Sequence, residues 1–101
     1  MKNYRHGDVQ LTRIDSIPRD AVSLGARKEL AYGEVTGHAH RIDIGELFQT
    51  KGGALYLKVD HLAKLSHEEH KTKVVEPGIY RVGIKRQYDP RSGMDTSYVK
   101  D

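Results

Sequence analysis

The sequence predicts an all-β protein, built as a small antiparallel β-barrel or β-sandwich. Polar and apolar residues alternate in several short runs, and glycine or proline separates most of these runs. Almost no segment repeats its apolar residues at the period of about 3.6 residues that marks a helix. We therefore expect about seven to nine short strands joined by tight turns, as in small barrels and sandwiches.

Length and composition limit the classes of protein. A chain of 101 residues can build one modest core, so residues 1–101 are predicted to form a single β-domain. The chain has no cysteine, so any metal must be bound through nitrogen and oxygen atoms. It has no apolar run long enough to cross a membrane and no secretory signal at the N-terminus, so a cytoplasmic location is expected.

The N-terminal half is predicted to contain four strands, at residues 8–14, 28–35, 38–44 and 46–50. In the first, Val9 and Leu11 alternate with polar residues until Pro18 ends the run. Residues 18–27 show neither period clearly and are interpreted as a loop or a single helical turn. Gly45 either separates the last two strands or bends one longer strand.

The pair Gly52-Gly53 is the clearest turn, because glycine accepts a positive φ without steric cost. It predicts a hairpin in one of two registers. A two-residue loop puts Glu46 on the core side of the hairpin. A three-residue loop pairs Leu47 with Leu57 and turns the glutamate outward, so the role of this acid depends on one residue of register.

The C-terminal half is predicted to add two strands, at residues 54–59 and 79–85. Between them, residues 60–70 fit either a short strand that ends in a turn or a single helical turn. Pro77 and Gly78 form a type II turn signature before the last long strand. Residues 91–101 are polar, and they either add an edge strand or form a loose tail.

Two histidines lie one residue apart in the strand at residues 38–44. Since side chains alternate across a strand, His38 and His40 share its apolar face, and Glu46 faces the same way unless a bulge intervenes. Two imidazoles and a carboxylate are a suitable ligand set for a divalent metal. The same pair also fits core histidines that hydrogen-bond to backbone carbonyls, or a metal-free catalytic pair.

A second pair, His67 and His70, offers two more imidazole ligands. Residues three apart meet on a helical turn and diverge on an extended strand. A closed β-architecture can bring this segment beside the first pair, and the combined site would suit iron, manganese, zinc or nickel. Glu68 and Glu69 are then candidate general bases for a metal-bound water. The alternative is a solvated polar turn.

The remaining polar residues suggest no further site. His6 and His61 are interpreted as incidental. Four basic or aromatic residues near the C-terminus resemble a surface for single-stranded nucleic acid, namely Lys85, Arg86, Tyr88 and Arg91. Acidic residues interrupt them, which favours an ordinary charged surface and leaves nucleic-acid binding as the least favoured of three hypotheses.

Residues 33–53 resemble the first cupin motif, in which a glycine precedes a His-x-His pair, a glutamate and a second glycine. The resemblance implies a partly cupin-like fold with His38, His40 and Glu46 as metal ligands. The intervals between these residues differ from those of the motif. No histidine follows Pro77, where a second cupin motif would supply the fourth ligand.

The whole chain is similar to short proteins encoded in bacterial and phage genomes. The blocks that carry this resemblance are His6-Gly7-Asp8-Val9, residues 33–40, residues 67–70, Pro77-Gly78-Ile79-Tyr80 and residues 86–90. The resemblance implies a family and no mechanism. One hypothesis is a histidine-lined pocket for a metal or a small-molecule ligand. The other is a non-enzymatic accessory protein that binds a host or phage protein. Independently of both hypotheses, an exposed edge strand could pair two copies of the chain.

Overall fold

The computed structural model describes residues 3–32, 38–84, 88–89 and 94–95. These residues contain twelve β-strands and no helix, which confirms the all-β prediction. The strands are β1 (Tyr4–His6), β2 (Val9–Ile14), β3 (Val22–Ser23), β4 (Glu29–Tyr32), β5 (Ala39–Ile42), β6 (Glu46–Gln49), β7 (Leu55–Val59), β8 (Ala63–His67), β9 (His70–Val75), β10 (Gly78–Ile84), β11 (Tyr88–Asp89) and β12 (Met94–Asp95). A search of the described residues for a helix able to span a membrane finds none.

The strands form two main antiparallel sheets. The six-stranded sheet has the order β1-β2-β10-β7-β6-β3, and the four-stranded sheet has the order β4-β5-β8-β9. Among the described strands, β11 and β12 pair with each other and with no other strand. Among the described strands neither main sheet closes on itself, so the structure has the predicted antiparallel sheets without a closed barrel.

Both main sheets contribute side chains to one buried apolar cluster. From the six-stranded sheet come Val9, Leu11, Leu47, Leu55, Leu57, Val59, Tyr80 and Val82, and from the four-stranded sheet come Leu30, Ile42, Ala63, Leu65 and Val75. Tyr80 is fully buried, and its hydroxyl donates a hydrogen bond of 2.6 Å to the carbonyl of Glu76. Burial raises the pKa of Tyr80 to about 12, helped by the neighbouring Tyr4.

The hairpin of β6 and β7 adopts the three-residue loop of the two predicted registers. Leu47 pairs with Leu57, and the amide of Thr50 donates to the carbonyl of Ala54 across the loop. Gly53 has the positive φ of 95° that the turn was expected to require. Glu46 is therefore exposed on the outer face, and the core-side alternative for this residue is wrong.

Two ambiguous segments are resolved as strands. Within residues 18–27, Val22 and Ser23 form β3, which pairs with β6, and no helical turn is present in this described segment. Residues 60–70 contain β8 and its turn, as one of the two alternatives predicted. The predicted tail at residues 91–101 is described only at Met94–Asp95, and the basic residues 85–86 lie outside the described part of the chain.

Candidate metal centre

Five of the six histidines meet at one end of the four-stranded sheet, and they come from three separate elements. They are His6 from β1, His38 and His40 at the start of β5, and His67 and His70 from the hairpin of β8 and β9. The ring centroids of His40 and His67 are 4.3 Å apart, and those of His67 and His70 are 4.7 Å apart. The fold thus joins both histidine pairs of the sequence.

The β8–β9 hairpin brings His67 and His70 together by a shift in register. The pairing is regular as far as Leu65 opposite Lys73, and one extra residue in β9 then places His67 directly opposite His70. Opposed residues in an antiparallel pair share a face. Without the bulge, His67 would lie opposite Lys71 and His70 would turn to the other face. Bulges re-aim side chains in this way beside functional sites.

Strand β5 sets His40 against the same hairpin. Ile42 pairs with Leu65 and Arg41 with Ser66, so the next position along this register puts His40 opposite His67. Ile42 and Leu65 are buried, whereas Arg41 and Ser66 are exposed, which fixes the histidines on the inner face. His40 is only 2% exposed. Its position follows from the same alternation that builds the core.

His6 reaches the cluster from the other sheet. Its Nδ1 lies 2.9 Å from Nδ1 of His40, and its Nε2 donates a hydrogen bond of 2.8 Å to the carbonyl of Lys71. Lys71 belongs to the bulged part of β9, where the carbonyl is available to a side chain. Burial lowers the pKa of His6, which favours the neutral ring.

Gly7 lets the rings approach the β1–β2 turn. It has φ of 60°, a conformation that favours glycine. A Cβ at this position would lie 2.6 Å from Nε2 of His70 and 3.0 Å from Cε1 of His40. The backbone of the turn therefore forms one wall of the cluster, and only glycine leaves the rings in place.

Three of the histidines have the geometry of a metal-ligand set. Ring nitrogens of His40, His67 and His70 all lie within 4.8 Å of one another. A zinc ion with bonds of about 2.0–2.1 Å places tetrahedral ligand atoms about 3.3 Å apart, so binding requires a modest rotation of the side chains. His70 is exposed, which leaves one side of the group open to solvent. A second group, formed by His38, His67 and Glu68, shares His67 with the first.

A hydrogen bond from the turn holds the ring of His67. Its Nδ1 accepts the amide of Glu69 at 3.0 Å. A metal ion on Nδ1 would replace this donor, and a metal ion on Nε2 would require a proton on Nδ1. Metal binding through either nitrogen therefore breaks the contact with Glu69.

The two predicted bases differ in their surroundings. The Glu68 carboxylate accepts the amide of Ala39 at 3.1 Å and the guanidinium of Arg41 at 3.2 Å. The backbone amides of Glu68 and Ala39, with Arg41, lower the pKa of Glu68 to about 2. A carboxylate with this pKa is a weak proton acceptor at neutral pH. Glu69 is exposed, and its Oε2 lies 3.6 Å from Nδ1 of His38.

Glu46 does not join the histidines. Its carboxylate accepts the hydroxyl of Ser23 at 2.6 Å on the six-stranded sheet. Among the described residues, the two groups able to hold a metal include neither Glu46 nor His61. The three ligands that the cupin resemblance implies are thus not brought together, because the register of β6 turns the glutamate outward.

The sequence interpretation missed His6. A signal was present, since Gly7-Asp8 is a two-residue hairpin turn signature and would set residues 4–6 against residues 9–11. The structure has this hairpin, with His6 opposite Val9. Because Val9 is fully buried, a histidine opposite it also faces the interior.

Comparison with known proteins gives a family and no further relative. The family model of a domain of unknown function, DUF8820, matches residues 5–85. No curated protein and no solved structure matches the chain significantly. The matched segment covers most of the sequence, including all five clustered histidines. The chain therefore belongs to the DUF8820 family.

Proposed function

We propose that the protein binds one divalent transition metal through His40, His67 and His70. The observation that supports this most directly is the approach of three ring nitrogens to within 4.8 Å of one another. The bulge in β9 is a second support, because it departs from regular pairing at the point where it turns His70 toward His67.

The ligand chemistry narrows the choice of metal. Three imidazoles without a thiolate or a carboxylate suit zinc, nickel and ferrous iron, whereas magnesium, calcium and manganese prefer oxygen donors. Zinc is commonly bound by three histidines, with a water molecule in the fourth position. We propose zinc as the first ion to test, and nickel and ferrous iron as its competitors.

A metal held by three protein ligands keeps a position for water or a small ligand. The exposed side of His70 supplies access from solvent. A metal in such a site lowers the pKa of its bound water and makes it a nucleophile near neutral pH. Of the two predicted bases, Glu69 suits proton removal better, because Glu68 is engaged by Ala39 and Arg41. Binding or hydrolysis of a small molecule is the activity that follows.

The test uses protein purified without a polyhistidine tag and stripped with a chelator. It is titrated with Zn²⁺ against a chromogenic competitor, and with Co²⁺, whose visible spectrum reports coordination. We expect one ion per chain, and a loss of affinity of roughly 100-fold or more in His70→Ala. This variant is chosen because His70 is exposed, so its removal leaves the core intact. His61→Ala, also at an exposed histidine, is the matched control and should bind as the wild type does.

A second measurement locates the ion. The backbone amide of Glu69 should change its NMR shift on loading with zinc, because the metal displaces it from His67. Absence of binding at micromolar metal, or equal losses in His70→Ala and His61→Ala, would contradict the proposal. In that case the histidines serve the fold alone, and the hypothesis of an accessory protein is favoured over that of a metal site.

A further inference from the structure

We propose that His6 is a positioning residue that sets the tautomer of His40 and so presents Nε2 of His40 to the metal. His6 is not among the proposed ligands, and it approaches them from the other sheet. The effect on metal affinity rests on the proposed function, whereas the effect on the tautomer does not.

The argument begins at the carbonyl of Lys71, which can only accept a hydrogen bond. It lies 2.8 Å from Nε2 of His6, so that nitrogen carries a proton. In the neutral ring the other nitrogen, Nδ1, then has only a lone pair. Since Nδ1 of His40 lies 2.9 Å away, His40 must donate, and its proton is on Nδ1. Nε2 of His40 is left as the basic nitrogen.

A doubly protonated His6 would reverse the direction of the hydrogen bond between His6 and His40. It would donate from Nδ1 and force the proton of His40 onto Nε2. The surroundings oppose that state, because His6 is only 3% exposed and His40 only 2%. Its two hydrogen-bond partners, the carbonyl of Lys71 and the ring of His40, carry no negative charge that would stabilise a second proton. The neutral ring is therefore the resident form at pH 7.

The tautomer matters because a metal needs a lone pair. A neutral histidine side chain in water favours the proton on Nε2, which would block that nitrogen. Residues that hydrogen-bond to the far nitrogen of a ligating histidine fix its tautomer and orientation, and their loss typically costs 10–100-fold in metal affinity. His6 supplies this support from a different sheet, so the fold itself pre-orients the ligand.

Two amide substitutions at His6 separate the roles of its two ring nitrogens. The Oδ1 atom of asparagine occupies nearly the place of the imidazole Nδ1 and can accept from His40. The longer amide of glutamine reaches the place of Nε2 and can donate to Lys71, but it puts no acceptor beside His40. His6→Asn should therefore keep the proton of His40 on Nδ1, and His6→Gln should release it to Nε2.

The readout is the long-range ¹H–¹⁵N spectrum of ¹⁵N-histidine protein, which identifies the protonated nitrogen without any metal. We expect Nδ1–H in the wild type and His6→Asn, and Nε2–H in His6→Gln. Zinc affinity should fall about 10–100-fold in His6→Gln and less than about 3-fold in His6→Asn. Circular dichroism and thermal melts report whether each variant folds.

The outcomes distinguish this inference from the proposed function. If His40 in the metal-free wild type carries its proton on Nε2, the inference is overturned, whatever the variants do. An unchanged tautomer in a folded His6→Gln overturns it as well, even where zinc binds tightly. If the tautomer shifts as expected while the wild type binds no metal, His6 keeps its positioning role and the proposed function fails.

Discussion

The β6–β7 and β8–β9 hairpins end in short turns, yet they direct their polar side chains oppositely. In β6–β7 the regular register runs into a three-residue loop, and Glu46 points to solvent. The regular register of β8–β9 would also end in a three-residue loop, with His67 opposite Lys71. Instead, a two-residue turn and a bulge set His67 opposite His70. Regular pairing in β6–β7 thus serves the packing of the core, whereas a shift of one residue in β8–β9 brings two histidines together.

The difference follows from what each hairpin buries. Leu47 and Leu57 are both fully buried, so regular pairing gives β6–β7 its apolar contact directly. In β8–β9 the apolar contact ends at Leu65, and the pairs beyond it contribute little to the core. Packing does not demand the bulge there. Its effect is to turn a fifth histidine ring toward the cluster and to free the carbonyl that His6 uses.

The largest expected effect comes from converting β8–β9 to regular pairing. One glycine inserted between Glu68 and Glu69 lets the register of Leu65 opposite Lys73 continue to the end of the hairpin. His70 then lies opposite Glu68 on the outer face. We expect zinc affinity to fall by roughly 100-fold or more, measured by competition titration, with little loss of stability because surface loops accept insertions.

The matched control is one glycine inserted between Gly52 and Gly53 in the β6–β7 loop. It adds the same residue to the hairpin that carries no histidine, and it should leave zinc affinity unchanged. If both insertions bind zinc as tightly as the wild type, the register of β8–β9 does not assemble the site.

The next largest effect on zinc affinity is expected at the β1–β2 turn, which forms one wall of the histidine cluster. In Gly7→Ala the new Cβ would lie 2.6 Å from Nε2 of His70, so the ring must move. We expect zinc affinity to fall about 10-fold or more and the free energy of unfolding to fall by about 1–2 kcal/mol, since alanine is strained at φ of 60°. Urea denaturation and zinc titration measure the two quantities.

Gly25→Ala separates backbone strain from the clash. Gly25 has φ of 66°, and a Cβ there meets no atom within 4 Å. This variant should lose similar stability and keep its zinc affinity. A parallel loss of affinity in both variants would assign the effect of Gly7→Ala to global destabilisation instead.

Alternation along the chain was enough to predict the long strands. Val9 and Leu11 in β2, and Tyr80 and Val82 in β10, mark a buried face that one sequence shows plainly. The sequence leaves two alternatives for the register of β6–β7, because Leu47 and Phe48 are both apolar and either can face Leu57. The two-residue strand β3 has no periodicity to detect and forms only because β6 offers it an edge.

The candidate site was predictable in its residues and not in its assembly. The spacing of His38 and His40 marks a shared strand face, and the spacing of His67 and His70 marks a second pair. Their meeting depends on a bulge, which leaves no signature in the residue pattern. His6 faces the interior through the local β1–β2 hairpin, but its contact with His40 depends on how one sheet packs against the other, which the sequence does not show.

Tyr80→Phe tests strand β10, which pairs with the β6–β7 hairpin, without touching the histidines. Tyr80 lies opposite Leu57 of β7, and its hydroxyl bonds to Glu76. Loss of this hydrogen bond should cost about 1 kcal/mol at pH 7 and leave zinc affinity unchanged. The pKa of Tyr80 is raised to about 12 in the folded state, against about 10 when unfolded, so its contribution is present below pH 10 and lost as pH rises toward 12.

Denaturation curves between pH 8 and 12 measure this dependence. The wild type should lose more stability than Tyr80→Phe as pH rises above 10, so the two curves approach one another. Curves that stay parallel would show that the hydroxyl ionises alike in both states. A change in zinc affinity would show that β10 and the histidine cluster are coupled.

The smallest expected effect compares the acids of the two hairpins. Glu68 accepts from Ala39 and Arg41, whereas Glu46 accepts from the hydroxyl of Ser23. The pKa of Glu68 is lowered to about 2, so its contribution to stability is present above about pH 4.5 and is lost as pH falls toward 2. In this window Glu68→Gln should take up about one proton fewer than the wild type on unfolding.

The measurement is the slope of unfolding free energy against pH in metal-free protein, with Glu46→Gln as the matched variant. The slope should flatten in Glu68→Gln, because the carboxylate of Glu68 has a strand amide and a guanidinium as donors, and Glu46→Gln controls for the removal of an exposed acid from the other hairpin. Equal slopes would mean that the turn of β8–β9 holds its acid no better than β6 does. The contact of Glu68 with β5 would then be incidental, and the alignment of His40 with His67 would rest on strand pairing alone.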